Sequence, residues 1–360
     1  MNIPIYAVVM AGGIGTRFWP KSRIKLPKQF IKIIGNKTMI QSTVHRIGSL
    51  VPRKNILIVT NINQANIVYE QLPSIPSTNV ILEPVGKNTA PCIGLAALII
   101  QRRNQDGVML ALPSDHWIKN KEIFCKELEI AALRALEKER LITFGIKPAY
   151  PETGYGYIQR GKKIHSKPEH EIYQIKKFRE KPDLNLAEEF LKSGNHFWNS
   201  GIFVWKATTI LKEIEKYLPE LHKELMTIKT FLGTKREQIE INHIFKRLLS
   251  ESIDYGVMEK TKDAEIIISQ AGWNDVGSWK SLENLIPSDE SGNISHPKHL
   301  LMDTYNSIIE GDGRFIAAIG LQDMVVIDTK DILLICPKNK CQEIKKLVET
   351  LKGKGEKEFL

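Results

Sequence analysis

Cysteine is scarce. The 360 residues contain Cys92, Cys125, Cys336 and Cys341, and none stands in a C-x-x-C spacing. Cys336 and Cys341 lie close together, but no second close pair answers them, so a zinc site is not expected. Free thiols in a reducing compartment are expected instead. Long apolar runs are missing too. The longest, Ile93 to Ile100, falls short of the roughly 20 residues that cross a bilayer. The apolar N-terminus lacks a basic segment ahead of it and reads as a first strand, not a leader. A cytoplasmic chain without a membrane partner is expected. Charge of one sign is not gathered anywhere. Lys and Arg number 51 against 41 Asp and Glu, a net +10, with no basic stripe interleaved with aromatics, so nucleic acid is not an expected partner. A modest basic excess suits polyphosphate substrates. No period of twenty to fifty residues repeats, which excludes the common solenoids.

What is present is concentrated at Val8–Phe30, VVMAGGIGTRFWPKSRIKLPKQF. A buried strand, Tyr6 to Met10, runs into Ala11-Gly12-Gly13-Ile14-Gly15-Thr16, and Arg17 follows at once. Three glycines in four positions at a strand end let the backbone turn and bring its N–H groups close to a ligand. Bare amides beside a cation suit an anion, most naturally a phosphate chain. Lys28, after Pro27, supplies a second cation. The loop is not a Walker A motif, which needs G-x-x-x-x-G-K-[ST]. Nor is it a dinucleotide fingerprint. Phe18 stands where the third glycine belongs, and no acidic residue follows about twenty residues on.

Along the chain, helices at Thr38–Leu50 and Gln64–Gln71, an apolar helix opened by the Glu83–Pro91 turn and running through Arg103, and a helix at Lys121–Lys138 alternate with apolar strands at Asn55–Thr60, Val80–Leu82, Val108–Leu112 and Leu141–Ile146. That alternation implies an α/β fold, a Rossmann-like, mostly parallel sheet with helices on both faces. Ligands of such sheets bind beyond the carboxyl ends of the strands. The glycine loop, the Glu83–Pro91 turn and Ser114-Asp115 all fall at such ends. Pro148–Lys181 reads as hairpins, with His165 and His170 on a solvated turn. Thr208–Leu249 is helical with a break at Pro219. A polar linker at Ile286–Asn293 divides residues 1–285, a catalytic domain, from 286–360, where short strands at regular spacing suggest a small β-rich domain. Gln342–Leu351 is a closing helix, and Gly353–Leu360 a frayed basic tail.

Asp115 ends a buried strand after Pro113 and Ser114. It is placed to hold Mg²⁺ against phosphates or to cap the next helix. Asp275, between Gly272 and Gly277, is its natural partner, with Trp273 and Trp279 as core anchors or more. His116 has no triad partners and reads as structural or as a support for its neighbour Asp115. Asn88 and Thr89 are placed to cap the helix they precede. Glu180 and Asn199 offer paired polar groups, Lys181 a cation and Gly154 a close backbone approach, though an exposed turn would also explain Glu180-Lys181-Pro182.

The stretch G-x-G-T-R-x-x-P…P-K resembles the signature of the sugar nucleotidyltransferases. Trp19-Pro20 and Pro27-Lys28-Gln29-Phe30 are similar to the bacterial mannose-1-phosphate guanylyltransferase branch. Further blocks spread the resemblance over nearly the full length: Glu83-Pro84-Val85-Gly86-Lys87-Asn88-Thr89-Ala90-Pro91 (Lys87 where Arg is more usual), Glu152–Ile158, Glu180-Lys181-Pro182, Trp198–Gly201, Ser252–Lys260 and Gly272–Trp279. The resemblance implies a GT-A-like nucleotidyltransferase domain with a few coils of left-handed β-helix at the C-terminus. It implies GTP and mannose 1-phosphate as substrates, Mg²⁺ as cofactor, and a possible homodimer. It makes Arg17, Lys28, Asp115 and Asp275 catalytic, with Asp115 and Asp275 on the metal. Ala11, Gly12, Gly13, Gly15, Thr16, Arg17, Glu83, Asn88, Thr89 and Ser114 would bind nucleotide; Gly154, Glu180, Lys181 and Asn199 would bind the sugar phosphate. Asp254 and Glu259 come near the site without an evident task. Some relatives carry a cupin-type isomerase domain after the β-rich segment. This chain ends at Leu360, and no isomerase activity is expected of it. The alternatives are the same chemistry on another sugar or nucleotide, and a non-catalytic subunit that binds sugar nucleotides. Intact Arg17, Lys28, Asp115 and Asp275 speak against the second.

Overall fold

Apolar runs bounded by turn formers become strands in the computed structural model, which describes residues 3–13, 15–167 and 170–360. The chain divides into two compact units. The first takes residues 1–12, 43–114 and 118–273; the second takes 13–42, 115–117 and 274–360.

The first unit is built on β1 (Ile5–Ala11), β2 (Ile56–Asn61), β3 (Val80–Glu83), β4 (Val108–Pro113), β5 (Leu141–Ile146), β6 (Tyr157–Lys167), β7 (His170–Arg179), β8 (His196–Lys206) and β9 (Ala264–Ile268). These form one sheet in the order β3-β2-β1-β4-β8-β5-β9-β7-β6. The strands β3, β2, β1 and β4 are mutually parallel, as are β5 and β9. Strands β7 and β8 run against their neighbours. The sheet is mixed but mostly of one direction, as the βα alternation predicts. The hairpin expected in Pro148–Lys181 is present, and it extends the main sheet: β7 pairs with β9, and β6 with β8.

A helix, α1, spans Met39–Arg46; within the first unit α2 (Ala65–Gln71), α3 (Thr89–Arg103), α4 (Lys121–Lys138) and α5 (Leu184–Ser193) follow. The predicted helical stretch after β8 is three helices, α6 (Ala207–Tyr217), α7 (Pro219–Lys229) and α8 (Glu237–Arg247). Pro219 opens α7 at its first position, where its missing N–H costs nothing. A second break, over 230–236, holds Gly233 at φ +76°, the backbone region that favours glycine after a helix. Helix α3 is buried along most of its length, and its Ile93 and Leu95 join Val8, Leu57 and Trp205 in the core of the first unit. His170, expected on a solvated turn, is buried because it starts β7 opposite Lys167 in the long hairpin. The tip at 168–169 and the side chain of His165 lie outside the described residues.

The second unit carries β10 (Ile294–Ser295), β11 (Leu300–Met302), β12 (Ile308–Gly311), β13 (Ala317–Ile319), β14 (Met324–Asp328), β15 (Leu333–Pro337) and the helix α9 (Ile344–Lys354). Leu300 pairs with Ala317, Tyr305 with Gln322 and Ile308 with Val325, all parallel and all 17 residues apart. The coils of this β-helix-like stack are therefore 17 residues long after a first step of 14, from Ile294 to Ile308, and all are shorter than the repeats sought in the sequence. Antiparallel β15 closes the stack against β14. The core of this unit joins Ile308, Val325 and Leu334 of the stack to Phe18, Trp19 and Trp279, so the segment after the glycine loop packs with the C-terminal stack. The tail is not frayed. It ends in a turn at Lys357–Phe359, and Trp19 Nε1 donates to Phe359 O at 2.7 Å. Among the described residues no helix is long and apolar enough to cross a membrane.

Candidate active site

Within the second unit, the half of the glycine loop from Gly13 onward meets Lys28, Asp115 and Asp275. Gly15 sits at φ +66°, and a Cβ there would run into the Lys28 Cβ. Only glycine fits both the left-handed backbone and that contact. Gly13 has open space where a side chain would go. Gln29 Nε2 donates to Gly13 O at 2.9 Å, and Ser22 Oγ donates to Gly15 O at 2.7 Å. The stem of Lys28 is thus laid along Gly15, and the residue is only 5% exposed.

Lys28 Nζ donates to Asp115 Oδ2 at 2.9 Å and to the Asp275 carbonyl at 2.8 Å. Two of its three N–H donors are so used. Burial acts to raise the Asp115 carboxyl, but the Lys28 ammonium, His116 and the hydrogen bond from Lys28 outweigh it and hold it below the usual carboxylate range. Asp115 is therefore ionised at neutral pH, and His116 contributes to its charge balance. Asp275 occupies a tight turn. Asn274 Oδ1 accepts from Val276 N–H at 2.7 Å, and a Cβ at Gly277 would lie 2.7 Å from Asp275 Oδ2. Val276, a β-branched residue, stands at φ +49°. Backbone strain of this kind persists where surrounding structure enforces it and often at functional turns. Trp279 enforces it here. It is fully buried, its ring lies 4.9 Å from Phe18, and its Nε1 donates to Trp19 O at 3.1 Å. Trp279 is the core anchor; the Trp19–Pro20 peptide beside it is cis.

Arg17, Lys28, Asp115, Asp275, Gly15 and Thr16 line one cavity of about 300 Å³. The same cavity is lined by His116, Phe18, Gly277 and Lys345. No motif or spacing in the sequence marks Lys345, which belongs to α9.

In the first unit, the blocks assigned to the sugar converge on two carboxylates. Glu180 is 8% exposed, its Oε2 has no hydrogen-bond partner among the described residues, and Lys181 Nζ pairs with its other oxygen. Its backbone N–H is held by Glu259 Oε1 at 2.7 Å. Asn199 Nδ2 donates to Asp254 Oδ1 at 2.9 Å, and the Asn199 oxygen accepts from the Gly201 N–H at 3.3 Å, which fixes the amide orientation. Burial, with the Glu180 carboxylate nearby, pushes Asp254 up to about 7. Asp254 opens a π-helical turn, Asp254–Met258, an irregularity frequent at functional sites. Lys181 stands at φ +45°. Gly154 is exposed and its N–H is taken by Glu152 Oε1 at 2.8 Å. The glycine that makes a close approach is Gly156, where a Cβ would collide with Glu180 Oε2. Sequence reasoning missed Gly156, although the T-G-Y-G spacing held it.

Among the residues expected to bind nucleotide, Glu83 ends β3 in the first unit, buried at 4% exposure, and burial pushes its carboxyl up to about 8. Its Oε1 has no hydrogen-bond partner among the described residues. A Cβ on Gly12 would stand 3.9 Å from Glu83 Oε2. The Ala11 carbonyl accepts from Thr60 Oγ1 at 3.1 Å. Ser114 is buried, and its carbonyl accepts from Thr43 Oγ1 at 3.1 Å. Asn88 adopts φ 68°, ψ −169°, and its side chain accepts from Thr89 N–H. That region is essentially reserved for glycine. Thr89 Oγ1 accepts from Ile253 N–H at 2.9 Å, which joins this block to the turn that bears Asp254. Strained non-glycine residues thus occur in the N-T-A-P, E-K-P and N-D-V-G blocks alike.

Comparison with known proteins identifies the family. Residues 6–292 match the Nucleotidyl transferase family and residues 297–351 a MannoseP isomerase/GMP-like beta-helix domain. A mannose-1-phosphate guanylyltransferase of Escherichia coli is 40% identical over 99% of this chain and 78% of its own length. One from Klebsiella pneumoniae is 41% identical over 98% of this chain and 75% of its own. A solved Thermus thermophilus protein, described as a mannose-1-phosphate geranyltransferase, superposes with a TM-score of 0.87. It is 30% identical and covers 97% of this chain and 99% of its own. The chain spans about three quarters of the length of the two bacterial sequence relatives. With identity at this level running through both segments, the chain belongs to the nucleotidyl transferase family, in its mannose-1-phosphate guanylyltransferase branch.

Proposed function

We propose that this protein joins GTP and α-D-mannose 1-phosphate to give GDP-mannose and diphosphate. The observation that carries this reading is the cavity lined by Arg17, Lys28, Asp115 and Asp275, in a chain 40% identical to a mannose-1-phosphate guanylyltransferase over nearly all its length. A phosphate oxygen of the sugar phosphate attacks the α-phosphorus of GTP in line, and diphosphate leaves with the electrons of the broken P–O bond. That oxygen is already charged at neutral pH, so no general base is required. The reaction asks for positioning and charge neutralisation.

Arg17 and the loop amides hold the β- and γ-phosphates. Lys28, fixed by Asp115 and the Asp275 carbonyl, directs charge toward the reacting phosphates. Glu83 accepts from the N1–H and amino group of guanine, the two donors its edge presents. Glu180, Asp254 and Asn199 orient the hexose hydroxyls, and Lys181 its phosphate. Ala11, Gly12, Gly13, Thr16 and Ser114 frame the nucleotide, while Asn88 and Thr89 hold the base-side turn in shape.

The donor set fits magnesium. The ion takes hard oxygens and is usually held by one or two carboxylates completed by substrate phosphates. Asp115 and Asp275 offer two carboxylates to one cavity, Asp115 is kept ionised, and among the described residues no cluster of three or more His, Cys, Asp or Glu stands ready as an all-protein cage. Bound there, the ion would neutralise phosphate charge. The cytoplasm is the proposed location. Incubation with GTP and mannose 1-phosphate should yield GDP-mannose by mass spectrometry. A folded protein that binds GTP but forms none would instead be a sugar-nucleotide-binding subunit.

A further inference from the structure

Two lysines line the cavity, and the transfer reaction described above uses only Lys28. Lys345 stands in the first turn of α9 and reaches the same space as Arg17 and Lys28. The buried neighbour Ile344 fixes that turn in the core beside Phe18, Trp19 and Trp279. The hydrogen bond from Trp19 to Phe359 O ties down the segment after the helix. The helix therefore holds Lys345 at the cavity through a packed anchor on one side of it and a tethered tail on the other.

Its charge is misplaced for helix stability. The start of a helix carries partial positive charge and favours Asp or Glu. The first turn of α9 contains Lys345 and Lys346 and no acidic residue, and Glu343 ahead of it gives no side-chain cap. Lys345 pairs with Glu349, one turn on, at 3.8 Å, and both side chains are more than half exposed. A pair so exposed and so long binds weakly. What places Lys345 at a functional position is the cavity, where it stands as a third cationic side chain with Arg17 and Lys28.

We propose that Lys345 is a third cation for the polyphosphate, contacting the β- and γ-phosphates of the nucleotide and the diphosphate that leaves, so that the C-terminal helix is part of the binding machinery. This rests on the reading of the cavity as the polyphosphate site. The interaction is with charge alone, and it is made equally to substrate and to product.

The test is steady-state kinetics in both directions with the full chain. Lys345→Ala and Lys345→Gln should raise KM for GTP, and KM for diphosphate in the reverse reaction, about tenfold or more, the usual weight of a charged hydrogen bond. KM for mannose 1-phosphate should stay as in the wild type, and the melting temperature should not fall, since the cation opposes the helix dipole. Lys345→Arg should restore most of the loss, and Lys346→Ala, whose side chain does not line the cavity, should behave as wild type. An unchanged KM for diphosphate in Lys345→Ala, with normal transfer by the wild type, overturns the role of Lys345 and leaves the underlying reading intact. Failure of the wild type to form or consume diphosphate overturns that reading and the role together.

Discussion

Replacing Glu83 by glutamine removes a titration while keeping the shape of the side chain. The carboxyl is 4% exposed, one oxygen has no hydrogen-bond partner among the described residues, and burial raises it from 4.5 to about 8. Between those values the folded chain holds a proton that the unfolded chain has released. Stability from this group is thus fully present below about pH 4.5 and is lost as pH rises through about 8. The shift is about 8 − 4.5 = 3.5 units. At ~1.4 kcal/mol per unit that is on the order of 5 kcal/mol, of which about 4 falls between pH 5 and pH 9. Glutamine has no such dependence. The stability of the wild type relative to Glu83→Gln, from urea unfolding, should therefore fall by about 4 kcal/mol over that range. Guanine would offer two N–H donors to the ionised form, so GTP binding near pH 7 should release a proton. Calorimetry in buffers of different ionisation enthalpy reads that proton directly. A stability difference independent of pH would refute the burial argument, and GTP binding without proton release would refute Glu83 as the base contact.

Lys28→Ala and Asp275→Asn should each lower kcat by about 10²–10³ or more, the usual loss of one electrostatic contact to the transition state, while circular dichroism shows a folded chain; near-normal turnover in either would remove its assigned role. Gly15→Ala must take a left-handed backbone, ~1–2 kcal/mol for an L-residue, and push against the Lys28 stem. It should lose activity nearly as Lys28→Ala does, whereas Gly13→Ala, with open space at its Cβ, should match the wild type in melting temperature.

The sheet was legible because apolar periodicity and turn residues are local. The strand from Leu141 and the helix from Lys121 fall where the pattern puts them. Residues brought together by register or distant packing were not legible. Gly156 matters because strand pairing sets it under the Glu180 carboxylate, and nothing in T-G-Y-G distinguishes it from Gly154. Of the loop glycines, Gly15 alone is required by a positive φ, a fact fixed by Lys28 thirteen residues on. Lys345 is one lysine among many until Ile344 packs beside Phe18. The positive φ of Val276 runs against its residue type, since the fold around Trp279 enforces what the sequence disfavours. Asp254 stands out in the sequence without a task; its place beside Asn199 and Glu180 is what supports the proposed role toward the hexose hydroxyls.

The central claim is tested most directly by diphosphate release with GTP, mannose 1-phosphate and Mg²⁺, run beside ATP, UTP, dTTP and glucose 1-phosphate. The account predicts release confined to the GTP and mannose 1-phosphate pair and abolished by EDTA. No release from a folded protein that binds GTP, or release that survives EDTA, would contradict it.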